Sequence, residues 1–78
     1  MIQQNIRLRS FREIEHFVQA VDSVPYMVEI SQEGRQDFTM RASSVIGICS
    51  LDLSHPLLLQ ADTDDHDSVY SAFRDYIV

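Results

Sequence analysis

The feature that most constrains this chain is a change of hydrophobic period at Ser10. Before it, Ile2, Gln4, Ile6 and Leu8 alternate with Gln3, Asn5, Arg7 and Arg9, the period of two that a half-buried strand requires. After it, Ile14, Phe17, Val18 and Val21 fall on one helical face. Between them, Ser10-Phe11-Arg12-Glu13 has the S-x-x-E form of a capping box, in which hydroxyl and carboxylate satisfy the free backbone N–H groups of a helix start. Strand one therefore ends near Arg9, and helix one begins at once and runs to about Asp22.

Pro25 breaks that helix. Tyr26, Val28 and Ile30 then alternate with Met27, Glu29 and Ser31, and Phe38, Met40 and Ala42 alternate with Asp37, Thr39 and Arg41, with Gly34 in the polar segment between. This is a β-hairpin of strands two and three. Ser43 to Leu53 reads as a short helical stretch with a serine cap, ended by His55-Pro56. Leu57, Leu59 and Ala61 form a fourth strand, and Val69, Ala72, Phe73, Tyr76 and Ile77 form a helical stripe for helix three. The order is β-α-β-β-α-β-α. Because each strand has one apolar and one mostly polar face, the sheet is covered by helices on one side only, giving an α+β two-layer sandwich.

The 78 residues make one domain, residues 1–78, since a chain this short buries only about 60% of its unfolded surface. With Cys49 as its one cysteine, it has no intramolecular disulfide or cysteine-rich zinc site, and the fold stands on its hydrophobic core. The expected setting is the reducing cytoplasm. The first nine residues lack the pattern of a signal peptide, and no apolar run approaches the roughly 18–20 residues of a membrane span. Every basic residue is an arginine, and the net charge is −6. Nucleic acid is therefore not an expected partner. The charge is uneven: residues 1–44 carry five arginines against six acids, whereas residues 45–78 carry one against six. An anion-binding surface belongs in the first half.

The element order and the segment Ala42-Ser43-Ser44-Val45-Ile46-Gly47-Ile48-Cys49-Ser50-Leu51 resemble HPr, the small phosphocarrier of the bacterial phosphoenolpyruvate-dependent sugar phosphotransferase system. The resemblance implies an HPr-like open-faced sandwich, with antiparallel strand order 1-4-2-3 and three helices on one face. It also puts Ser44 on the serine that a dedicated HPr kinase phosphorylates. The family's other motif, Gly-Ile/Leu-His-Ala-Arg-Pro-Ala, lies where strand one meets helix one. There this chain has Leu8-Arg9-Ser10-Phe11-Arg12-Glu13-Ile14, so Ser10 stands in place of the phosphocarrier histidine and only Arg12 is retained. A serine without a nearby base is a poor nucleophile at neutral pH, and Glu13 places a negative charge where the phosphoryl group would sit. The resemblance is then to Crh-like regulators, which lack the histidine and bind a transcription factor once phosphorylated. Ser43, where the family usually has lysine, is a departure.

The candidate residues follow. Ser10 is read as a helix cap, with no catalytic role. Ser44 suits either regulated phosphorylation or a plain N-cap. Arg9 and Arg12 could hold an anion, or Arg12 could pair with Glu13 or Glu15. The family's partner-gripping face implies docking roles for Phe11, Ile46 and Cys49, against the alternative that these side chains are core, the reading that suits Cys49 best. His16 and His55 read as surface and loop residues. Asp62, Asp64, Asp65 and Asp67 lack the glycine and closing glutamate of a calcium loop and read as helix-start acids. No cofactor or metal is expected. The expected role is a non-enzymatic, protein-binding regulator, with HPr kinase or a transcriptional regulator as partner. The alternatives are a phosphocarrier using another residue, or a small-ligand-binding α+β module; composition leaves the oligomeric state open.

Overall fold

The computed structural model describes residues 1–32, 35–43 and 45–78. Gly34, Ser44 and the side chain of Phe38 lie outside the described residues. The elements are β1 (Ile2–Ile6), α1 (Phe11–Ser23), β2 (Val28–Gln32), β3 (Arg35–Arg41), α2 (Val45–Cys49), β4 (Leu57–Ala61) and α3 (His66–Phe73). The strands form one antiparallel sheet in the order β1-β4-β2-β3. The α+β architecture is the one expected from the residue pattern, and the strand order is the one that the resemblance implies.

Register explains the two layers. Ile2, Ile6, Leu57, Leu59, Ala61, Val28 and Ile30 share the covered face and are all buried. Ile14, Phe17 and Val21 of α1, Ile48 of α2 and Val69 and Phe73 of α3 pack against them. Phe17 lies at the centre, its ring 5.5 Å from Phe73 and 5.5 Å from Tyr76, the second contact edge-on. On the opposite face Gln3 and Asn5 are exposed. Ser31 departs from that polar reading: it is buried beside a bulge in β2, its hydroxyl without a hydrogen-bond partner among the described residues.

The boundaries of β1, α2 and α3 differ most from the sequence expectation. β1 ends at Ile6 rather than near Arg9, because Ile6 pairs with Leu57 and the next position on β4 is Pro56, which has no N–H for the ladder. Leu8 nevertheless remains buried, so the alternation outlasts the pairing. α2 covers only Val45–Cys49, short of the expected Ser43–Leu53; it unwinds into turns in which the Ser50 and Leu51 N–H groups donate to Gly47 and Ile48 carbonyls. The glycine and β-branched residues in this segment favour a helix weakly. α3 stops at Phe73. The stripe expected to reach Ile77 leaves the helix, and Ile77 bridges to Ile6 on the edge of β1. There the Arg7 N–H donates to the Tyr76 carbonyl at 2.7 Å and the Val78 N–H donates to the Asn5 carbonyl at 3.0 Å. The edge of β1 thereby gains partners for groups that would otherwise be unpaired.

Both full-length helix starts are capped by the residues that the sequence marks. Ser10 caps α1, and the Asp65 carboxylate accepts from the Ser68 N–H at 3.1 Å to cap α3. Asp65 and Asp67 thus serve the start of α3, as the sequence suggests.

Truncating the central ring tests this packing. Phe17→Ala is expected to cost about 3–5 kcal/mol by urea unfolding, whereas Ile46→Ala, at an exposed position, should stay within about 0.5 kcal/mol of the unaltered chain.

Candidate functional site

β1 delivers the chain to α1 through Arg7, Leu8 and Arg9, and the cap at Ser10 fixes how it turns. The Ser10 backbone is extended, with φ −150° and ψ 163°, and its Oγ accepts from the Glu13 N–H at 3.1 Å. The returning half of the capping box is displaced by one residue. Glu13 Oε1 accepts from the Arg9 N–H at 2.7 Å, and Arg9 Nη1 lies 3.9 Å from the same oxygen. A carboxylate therefore stands in the first turn, near the positive end of the helix, bonded to the residue before the cap. The ion pair is exposed and adds little to stability, while the charge-assisted backbone bond fixes geometry.

Leu8 and Ile14 form the buried floor of an open cleft of about 520 Å³ at this corner. Arg7, Arg9, Ser10, Phe11, Cys49 and Leu53 line the rest of it. Of the residues singled out from sequence, Arg9, Ser10, Phe11 and Cys49 are brought together here. Arg12 and Ile46 are exposed and do not line the cleft. Arg12 makes no ion pair with the described residues, so the pairing with Glu13 or Glu15 considered from sequence is not seen. Ser44 lies outside the described residues.

The core alternative for the docking residues does not hold. Phe11 is 59% exposed, Ile46 is 85% exposed and Cys49 is exposed; the buried residue of α2 is Ile48. Cys49 therefore has no packing role of the kind the sequence suggested. In a five-residue helix, Ile48 alone takes the core position, and the turn of the helix carries Ile46 and Cys49 outward.

Arg7 was missed by sequence reasoning. Its Nη2 donates to the Ser54 carbonyl at 3.0 Å and ties the α2–β4 loop to the end of β1. The signal was present in Arg7, Arg9 and Arg12 clustering around the period change, but the loop it grips is 47 residues away. Within that loop the Asp52 carboxylate accepts from both the Ser54 hydroxyl and the Ser54 N–H, and His55 Nε2 lies 4.0 Å from its other oxygen. The Ser54 hydroxyl first, then the Ser54 N–H, hold the Asp52 carboxyl below its ordinary value of 3.8; slight desolvation opposes them and His55 adds to the lowering.

This arrangement offers hydrogen-bond donors, two guanidiniums and an apolar rim. No histidine among the described residues lines the cleft, and the Ser10 hydroxyl is engaged as a cap. Among the described residues, no group of three or more His, Cys, Asp or Glu side chains is placed to hold a metal. No helix among them is long and apolar enough to cross a membrane.

Two measurements test the local geometry. Ser10→Ala should destabilise the fold by about 1 kcal/mol in denaturant titration, with Ser10→Asp restoring most of the loss. Because the folded Asp52 carboxyl is held low, its contribution to stability is present above its unfolded value and is lost as pH falls through the folded one. In an NMR titration, Ser54→Ala should move the Asp52 midpoint upward towards 3.8.

No protein-family model and no curated protein matches the chain. Among solved structures, the chain is similar to the crystal structure of HPr-C-His from Thermoanaerobacter tengcongensis, with a TM-score of 0.69 and 24% sequence identity over 95% of this chain and 85% of that chain. The three helices and the 1-4-2-3 antiparallel sheet are those of an HPr-like fold.

Proposed function

We propose that the chain is a non-enzymatic, protein-binding regulator related to the phosphoenolpyruvate-dependent sugar phosphotransferase system. In this reading it works in the bacterial cytoplasm and does not carry phosphoryl groups on histidine. The observation that carries the reading is the state of the α1 start. By the sequence resemblance Ser10 stands where the family has its histidine; its hydroxyl is engaged as a cap, and the Glu13 carboxylate stands in the same first turn, bonded to Arg9. A phosphoryl group arriving there would meet a carboxylate already holding the Arg9 N–H, and a hydroxyl with no base to activate it.

The retained asset is a surface. Phe11 and Ile46 are large apolar side chains held in solvent, Cys49 is exposed near the same corner, and Arg9 and Arg12 supply positive charge to a chain of net charge −6. Exposed apolar side chains together with exposed arginines suit a protein-docking surface. A transcriptional regulator or an HPr kinase is the partner class in this reading, and Ser44 is its switch. A phosphate on Ser44 would add close to two negative charges beside α2 and change which partners the patch accepts.

The test is incubation of the chain with HPr kinase and ATP, followed by mass spectrometry. One phosphate on Ser44, absent from Ser44→Ala and retained by Ser10→Ala, is the expected result. An unmodified chain, or modification that survives Ser44→Ala, would remove the switch from the reading.

A further inference from the structure

β1 lies at an edge of the sheet, and the tail beyond α3 returns to cover part of that edge. After Phe73 the chain turns, the Tyr76 N–H donating to the Phe73 carbonyl at 2.9 Å, and Ile77 then bridges to Ile6. Tyr76 anchors the tail, buried edge-on against Phe17, whereas Val78 at its end is exposed. Two backbone hydrogen bonds close the tail on the strand, from the Arg7 N–H to the Tyr76 carbonyl and from the Val78 N–H to the Asn5 carbonyl.

Arg7 stands where this tail meets the first cleft. The ladder between β1 and β4 ends at the Ile6–Leu57 pair, so Arg7 lies one residue past it and takes its backbone partner from the tail instead. Its guanidinium donates to the Ser54 carbonyl at 3.0 Å, and Arg7 lines the cleft together with Leu53, the residue before Ser54. One residue is thus held at its N–H by the tail and holds the α2–β4 loop with its side chain, a contiguous physical link between the two. We propose that residues 76–78 form a strap that sets the α2–β4 wall of the cleft through Arg7, which acts as a positioning residue. The strap belongs to the weakly held end of the structure, since two backbone hydrogen bonds close it and its last side chain is in solvent. A contact that lifts the strap from β1 releases Ser54 as well, and by reciprocity a contact that clamps the loop tightens the strap. The inference holds whatever docks at the cleft and is independent of Ser44.

A double-mutant cycle read by 1H–15N NMR on the whole chain tests it. Val78→Pro removes the N–H that donates to Asn5 and leaves Tyr76 against Phe17, while Arg7→Met keeps an unbranched apolar stem and removes the guanidinium. The His55 amide belongs to the same peptide group as the Ser54 carbonyl and reports on its hydrogen bond. Val78→Pro should speed hydrogen exchange at the Arg7 amide by at least about tenfold and shift the His55 amide. Arg7→Met should also shift the His55 amide, and should speed exchange at the amide of residue 7 by at least about threefold. In the double variant the His55 amide should stay where Arg7→Met alone puts it. Unchanged Ile30 and Leu59 amides verify that the sheet is intact. An unmoved His55 amide in Val78→Pro, His55 shifts that add in the double variant, or unaltered exchange at residue 7 in either single variant would each overturn the proposal.

Discussion

The fold depends on Phe17. A four-stranded sheet with one open face can bury only its other side, so all the apolar area available to this short chain must meet the helices there. Phe17 is the side chain through which that happens, touching Phe73 of α3 and Tyr76 beyond it while fully excluded from solvent. Tyr76 in turn carries the chain back to β1, where its carbonyl accepts from the Arg7 N–H. The same arginine reaches the Ser54 carbonyl with its side chain. The wall of the first cleft is thus held from one side by the aromatic core and from the other by the α2–β4 loop, so site geometry follows from packing.

What this geometry does with a helix N-terminus is the functional point. Such an end attracts negative charge, and a fold that handles phosphate there must leave it free. In this chain the Glu13 carboxylate in the first turn accepts the Arg9 N–H, while the Ser10 hydroxyl accepts the Glu13 N–H. Ser10 thus satisfies the Glu13 N–H and Glu13 the Arg9 N–H, which fixes how the chain enters the helix. Phe11 and Ile46 remain exposed.

Much of the architecture was legible because the signals are local. Alternation marked all four strands, the S-x-x-E box marked the start of α1, and Asp65 lay in the acidic run that starts α3. The misjudged features depend on distant partners. Periodicity places Ile77 on a helical stripe with Val69 and Phe73, and it cannot register that the unpaired edge of β1 offers Ile77 a better place. The end of β1 is set by Pro56, fifty residues from Ile6, through the register. At the site, Ser10 could be read as a cap from four consecutive residues, but the role of Arg7 required the position of Ser54. Exposure of Cys49 could not be read either, since in so short a helix one buried residue, Ile48, decides the orientation of the rest.

The central proposal is that the capped start of α1 faces protein partners and does not accept phosphoryl groups. It is tested most directly by incubating the chain with phosphoenolpyruvate and Enzyme I of the phosphotransferase system and recording its intact mass, with an ordinary histidine-bearing HPr in the same reaction as control. The account predicts that the control gains one phosphoryl group and that this chain gains none. An acid-labile phosphoryl group on this chain would contradict it.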